Sequence, residues 1–246
     1  MYEVSAYITK GNVREKNDDR ISVCGNTISD GEFSTKTNCV ISAVFDGVGG
    51  EAFGNEAAQA AADSLSQYCN EDAEATEAFA FKLVSEADNA VKNVRKIDDA
   101  HSNAAATMAG VIIANNKVCF CNLGDSKVFF FRSSYIFPKS KDHTEFQEYV
   151  DMGLADIRHP RKSAITRYLG NETFTDNTPY IGVEEYTQGD IWLICSDGLS
   201  DFLSYEEMEE ILLDDTTLGN KTKTLVELAL ANGSDDNVSA ILVKGE

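Results

Sequence analysis

No run of apolar residues in this sequence approaches the ~20 that a bilayer-spanning helix needs. Positive charge is short: 21 Lys and Arg stand against 41 Asp and Glu, a formal net charge of −20. A chain of that sign is repelled by nucleic acid phosphates and by an anionic membrane surface. The opening Met1-Tyr2-Glu3-Val4 lacks the basic and apolar regions of a secretory signal, so none is expected. The six cysteines, at 24, 39, 69, 119, 121 and 195, include no C-x-x-C pair, and most lie inside apolar runs. Neither a disulfide framework nor a zinc site fits that scatter, whereas reduced, buried thiols in a cytoplasmic protein do. What is present is a globular composition: 43% hydrophobic and 25% charged residues, enough apolar material for a sizeable core. Residues 1–246 show no repeat, low-complexity tract or linker, so a single domain is expected.

The apolar pattern alternates between strand-like and helix-like stretches. Val40–Phe45 is a β-branched and aromatic run that stops at Asp46-Gly47, the form of a buried strand. Ala57, Ala61, Leu65 and Tyr68 share one face of a helix over 54–68, and Ala80, Val84, Ala87, Val91 and Val94 mark a second. Residues 107–114, 118–123 and 128–132 read as three successive strands, joined at Asn115-Asn116 and at Gly124-Asp125-Ser126. Such a meander predicts antiparallel pairing throughout. Thr144-Glu145-Phe146-Gln147 and Ser204-Tyr205-Glu206-Glu207 have the form of capping boxes. All three prolines (138, 160 and 179) fall in one irregular stretch of the kind that forms functional loops. Ile191–Cys195 reads as a further buried strand, Leu218–Ala231 as a helix, and 238–243 as the closing strand. The strands cluster without βα alternation, so a doubly wound parallel sheet is not expected. The pattern points to an α+β sandwich, with antiparallel sheets in the middle and helix pairs outside.

Three acids share one local design. Asp46 and Asp197 each end a buried strand and precede a glycine; Asp236 sits with Asn237 just before the last strand. Hard divalent cations take carboxylate and carbonyl oxygens, and a glycine beside the ligand lets the main chain approach the ion. Each Asp-Gly taken alone is equally a hairpin turn. Asp18-Asp19 precedes another strand-like run, with Arg14 four residues upstream of Asp18. Arg14 is either a surface ion-pair partner or the fixed cation of an anion site. Residues 47–52 also fit the G-x-G-x-x-[G/A] dinucleotide fingerprint, but the second strand and acid it requires about twenty residues later are missing.

A series of motifs runs from Gly11 to about Val243. In order they are Gly11-Asn12-Val13-Arg14-Glu15-Lys16-Asn17-Asp18-Asp19, Val44-Phe45-Asp46-Gly47-Val48-Gly49-Gly50 and Leu123-Gly124-Asp125-Ser126. Then follow Asp142-His143-Thr144, Ile165-Thr166-Arg167-Tyr168-Leu169-Gly170, Cys195-Ser196-Asp197-Gly198-Leu199-Ser200-Asp201 and Gly233-Ser234-Asp235-Asp236-Asn237-Val238. Together they resemble the metal-dependent protein phosphatases of the protein phosphatase 2C type, in their compact bacterial form. The resemblance implies a β-sandwich of two antiparallel sheets flanked by helix pairs. It implies a serine/threonine protein phosphatase in which Asp46 bridges two Mn²⁺ or Mg²⁺ ions and the Gly47 carbonyl binds the second. By the same resemblance Asp197 and Asp236 hold the first ion, Asp18 reaches a metal through water, Asp19 completes the acidic cluster, and Arg14 holds the substrate phosphate. The two ions would neutralise a dianionic phosphomonoester and lower the pKa of a bridging water, giving a hydroxide that attacks phosphorus in line.

Two positions depart from the family pattern. Val48 stands where many eukaryotic members carry a histidine proposed as leaving-group acid. Ser102 stands where bacterial members often place an aspartate for a third metal, with Asp98, Asp99 and His101 nearby, which leaves a third site of the usual kind open. His143 is read as structural and His159 as exposed. The expected partners are phosphoserine and phosphothreonine proteins and a cognate serine/threonine kinase, with no nucleic acid or membrane, and a monomer is expected. A pseudophosphatase that binds phosphoproteins without hydrolysis is the alternative, against which the intact Asp46, Asp197, Asp236 and Arg14 weigh. Residues 157–171 contain Arg158, Arg161, Lys162 and Arg167 and no acid, a local reversal of sign in an acidic chain. Arg158, Arg161 and Lys162 are candidate flap contacts to acidic substrates; a solvated loop is the plainer reading.

Overall fold

Among the residues described by this computed structural model, 1–48, 53–68, 73–154, 164–172 and 177–245, two six-stranded sheets form. The chain opens with β1 (Tyr2–Thr9), β2 (Arg20–Val23), β3 (Asn26–Ile28), β4 (Gly31–Thr37) and β5 (Val40–Phe45). Helices α1 (Gly54–Leu65) and α2 (Glu77–Arg95) follow, then β6 (Met108–Ala114), β7 (Lys117–Leu123), β8 (Lys127–Arg132) and β9 (Tyr135–Pro138). After α3 (Glu145–Asp151) come β10 (Tyr180–Glu185), β11 (Ile191–Cys195), α4 (Asp197–Ser200), α5 (Tyr205–Leu213), α6 (Leu218–Ala231) and β12 (Val238–Gly245).

The sheet orders are β4-β1-β12-β11-β8-β9 and β10-β7-β6-β5-β2-β3, and every neighbouring pair is antiparallel. Strand periodicity explains why the central runs are apolar on both sides. In β5, Ile41, Ala43 and Phe45 face α1 and α2, while Val40 and Val44 face the opposite sheet. In β11, Trp192 and Ile194 face the space between the sheets, and Ile191, Leu193 and Cys195 face α5 and α6. The core is therefore three apolar layers, helix pair on sheet, sheet on sheet, sheet on helix pair. At about 1.5–3 kcal/mol for each fully buried large aliphatic or aromatic side chain, these layers supply the driving force for the fold. The α+β sandwich expected from the sequence is what forms.

Several local expectations are corrected. The 107–132 segment is not a three-stranded meander: β6 and β7 form a hairpin, but β8 leaves that sheet and pairs with β11 and β9. Gly124-Asp125-Ser126 is thus a crossover between sheets, braced by His143, whose backbone N–H donates to Gly124 O (2.9 Å) and whose Nδ1 accepts from Gly124 N (3.2 Å). The structural reading of His143 holds. Thr144 caps α3 through Gln147 N (3.2 Å), but the Gln147 side chain turns to Asp151, so the box is half made. At Ser204 and Glu207 both halves are present. Five cysteines are free thiols; Cys69 and His159 lie outside the described residues.

Candidate functional site

Antiparallel pairing decides where the acids meet. Cys195 lies opposite Ala240, so the end of β11 and the start of β12 share one end of their sheet, carrying Asp197 and Asp236. β5 lies in the facing sheet and ends beside them at Asp46. The crossover from β7 to β8 brings Asp125 to the same end. These residues wall a cavity of about 350 Å³, with Arg14, Asp18, Gly47, Val48, Ile165 and Asn237 completing the lining. A smaller hollow of about 210 Å³ shares Asp125 and Asp197 and adds Lys127, Asp142 and Asp201. A larger one, about 490 Å³, lies at the other end of the sandwich around Asn115, Asn116 and Tyr186 and has no charged side chain in its lining. The acidic cavity is the candidate site.

Each ligand candidate is held by its backbone. Asp46 donates its N–H to Thr107 Oγ1 (3.2 Å) and accepts from Thr107 N (2.8 Å), and Ser126 Oγ sits 2.7 Å from the same hydroxyl. Neither Asp-Gly pair is a hairpin turn. A Cβ on Gly47 would stand 2.5 Å from the Gly54 backbone and 2.7 Å from Asp18 O, because the loops meet there without room for a side chain. Gly198, in the first turn of α4, is tighter still: a Cβ would lie 2.0 Å from Asn237 O. Asn237 ties the opening loop to this point, donating from Nδ2 to Lys10 O and Lys16 O (both 2.9 Å) and accepting from Asp18 N (2.8 Å).

The electrostatics are those of a site short of cations. Burial, then Asp19, Asp197, Asp125 and Asp236, push the Asp46 carboxyl well above its ordinary pKa. Burial likewise raises Asp19 to about 7, against hydrogen bonds from Ser239 and Ser196, and Asp125 to about 7. Asp197 is raised by burial and by Asp236, with Asp46 beside it. Neighbouring buried carboxyls favour taking up a proton or a cation. Oδ1 of Asp125 and Oδ1 of Asp197 are buried with no hydrogen-bond partner. Such orphaned oxygens are expensive unless something fills them. All-oxygen donors of this kind suit a hard divalent ion. Among the described residues no three acidic, imidazole or thiol groups stand pre-gathered around one point; the site is a carboxylate-walled cavity rather than a closed cage.

The structure brings Asp18, Asp46, Gly47, Asp197 and Asp236 together as the sequence predicts. Asp18 lines the cavity, while Asp19 lies beneath it, 1% exposed, its Oδ2 accepting from Ser239 Oγ (2.6 Å). Arg14 stands at the mouth, its Nη2 donating to Asp236 Oδ2 (2.7 Å). The ion-pair reading of Arg14 is observed, and the pair lies in the lining of the acidic cavity. Ser102, Asp98, Asp99 and His101 line neither acidic hollow. Asp125 and Asn237 also line the cavity, which the sequence alone does not signal: Asp125 sits in a Gly-Asp-Ser connection that reads as a turn, and Asn237 follows a more conspicuous acid. Arg158, Arg161 and Lys162 lie outside the described residues.

A family profile described as Protein phosphatase 2C matches residues 18–231. The chain belongs to the protein phosphatase 2C family. The serine/threonine phosphatase stp of Listeria monocytogenes is 28% identical over 244 residues, covering 96% of this chain and 92% of that relative. The solved S. agalactiae serine/threonine phosphatase superposes with a TM-score of 0.84 at 25% identity, each chain fully covered. The catalytic domain of the serine threonine protein phosphatase PstP, solved in complex with two manganese ions, superposes with a TM-score of 0.81 at 26% identity, over 99% of each chain. As a protein phosphatase 2C, this chain has its acidic cavity at one end of the family's sandwich.

Proposed function

We propose that this protein phosphatase 2C hydrolyses phosphoserine and phosphothreonine monoesters of proteins with two divalent ions, Mn²⁺ or Mg²⁺, held in the acidic cavity. The observation that carries the reading is the convergence of mutually repelling carboxyls, two with unpartnered buried oxygens, on a cavity whose lining holds one cation, Arg14. Without added positive charge, that cavity repels a phosphate dianion. Asp46, Asp197 and Asp236, with the Gly47 carbonyl, would hold the ions, and Asp18 would reach one through water. Bound there, the ions supply a nucleophile at neutral pH and neutralise charge on the phosphate. Arg14 binds and orients the phosphoryl oxygens with a guanidinium fork. Thr107 keeps Asp46 in place through its two contacts with the Asp46 backbone. Val48 cannot donate a proton, so water or another group must supply one to the departing serine or threonine oxygen. Asp125, with Asp197 and Asp201, walls the adjoining hollow and is where a further cation would go, rather than near Ser102.

The intact acids give the pseudophosphatase alternative no support. Phosphoproteins are the partners and a serine/threonine kinase the opposing enzyme; the chain acts as one catalytic domain, as a monomer, in the cytoplasm. Among the described residues no helix is long and apolar enough to cross a membrane. The sign reversal over 157–171 supports a flap that draws in acidic phosphoproteins through Arg158, Arg161 and Lys162. The decisive experiment is hydrolysis of a phosphothreonine peptide with Mn²⁺, with EDTA, and by Asp197→Asn. Activity should depend on the ion and fall by orders of magnitude in the variant. Full turnover in chelator, or an unaffected Asp197→Asn enzyme, sinks the metal reading.

A further inference from the structure

Behind the acidic cavity sits a cation that neither binds substrate nor lines the site. Arg20 opens β2 opposite Phe45, one residue from Asp46. It is half-buried, and the loss of water holds its pKa below the ordinary value against the pull of Asp18, Asp19 and Asp63. Three of its N–H groups, from Nε and Nη1, are directed at fixed acceptors. Nη1 donates to the carbonyls of Asn17 (2.8 Å) and Asp19 (2.6 Å), the two residues that flank Asp18. Nε donates to Gln59 Oε1 on α1 (2.7 Å). Gln59 is fixed in turn: its Nε2 donates to both oxygens of Asp63 at 3.0 Å, and Thr27 Oγ1 donates to Asp63 Oδ1 at 2.7 Å. From the other side of the same loop Asn237 accepts from Asp18 N and donates to Lys16 O.

Resting on the metal reading above, we infer that Arg20 is a positioning residue for the ion site, and that Gln59 aims it. A guanidinium has the fork geometry to hold two carbonyls and a side-chain oxygen at once, which an ammonium on a flexible stem does not. By gripping the backbone on both sides of Asp18, Arg20 fixes where that carboxyl enters the cavity. Its charge also lowers the repulsion between Asp18 and Asp19. α1 and β3 thus become part of the support of the metal centre although no residue of either lines the cavity.

The test is calorimetric Mn²⁺ binding to the wild type and to Arg20→Met, Arg20→Lys and Gln59→Leu, beside melting temperatures and phosphothreonine-peptide kinetics over a range of Mn²⁺. Arg20→Met should weaken Mn²⁺ binding by about 10–100-fold, the usual loss when the support of a metal ligand is removed. Excess Mn²⁺ should restore kcat, since Arg20 touches neither substrate nor the reacting atoms. Gln59→Leu should shift affinity in the same direction by less. Arg20→Lys, which keeps the charge and loses the fork, should fall between the wild type and Arg20→Met. A lowered melting temperature with unchanged Mn²⁺ affinity in any folded variant overturns the inference and leaves Arg20 a tie between β2 and α1. Full rescue by Arg20→Lys overturns it as well. A wild type that binds no Mn²⁺ fails the metal reading itself, a distinguishable result.

Discussion

Arg14 carries two loyalties, and they can be separated. Its guanidinium is 44% exposed and pairs with Asp236, itself a candidate ligand. On the proposed metal reading Asp236 would face an ion, which would free the fork for phosphate. Arg14→Ala should therefore raise KM for a phosphothreonine peptide and lower kcat/KM by roughly 10–100-fold, the loss of a charge-assisted contact of about 1.5–3 kcal/mol. Mn²⁺ affinity should not weaken, because the variant removes a competitor for Asp236. Weaker Mn²⁺ binding with unchanged KM would make Arg14 a support of Asp236 and no phosphate ligand. Asp46, Asp197 and Asp236 were legible in the sequence because each sits at the boundary of an apolar strand. Asp125, Asn237 and Arg20 were not: what they do depends on which elements lie side by side across 39 to 219 positions of sequence, as with Arg20 to Gln59 and Asp18 to Asn237.

At the scale of elements, the site is built from chain ends that touch without side chains between them. Gly198→Ala sets a Cβ into the Asn237 carbonyl, so α4 and the 236–237 turn must move apart, and they carry Asp197 and Asp236. Overpacking of this kind costs about 1–3 kcal/mol, and Mn²⁺ affinity should fall with the melting temperature. Ser204→Ala gives the contrast. It removes the capping box of α5 and should cost about 1 kcal/mol of stability with kcat/KM unchanged. If Gly198→Ala lost stability but kept Mn²⁺ affinity, the turn would be a packing feature only. The long elements were readable: β5 and β11 from continuous apolar runs, α6 over Leu218–Ala231, and α5 from its box. β3 and β9, of three and four residues, are too short to show a period. The second turn of the expected meander failed for a topological reason. A short polar connection with a glycine reads the same whether the chain returns to its own sheet or crosses to the facing one.

At the scale of the molecule, 41 acids against 21 bases make the metal-free protein a strained object, and pH reports the strain. Asp19 and Asp125 are raised by burial to about 7, and Asp46 and Asp197 are raised by the same cause. An unfolded aspartate titrates near ~3.9. Between about pH 4 and 7 the folded chain therefore holds protons that the unfolded chain has released, and stability falls as pH rises through that window. Each extra proton held by the folded state costs about 1.4 kcal/mol of stability per pH unit. Asp98, Asp151 and Glu207 are held below their ordinary values, mainly by hydrogen bonds, and act the other way, but only at lower pH where they protonate. From pH 5 to pH 8 the melting temperature in EDTA should thus drop. Divalent ions do the work of the missing protons, so the gain in melting temperature on adding Mn²⁺ should be small at pH 5 and grow steadily to pH 8. Thermal melts with and without Mn²⁺ across that range measure both slopes. An Mn²⁺ gain independent of pH would mean that the ion binds away from these four carboxyls, because only groups that exchange protons for cations can give the gain its slope.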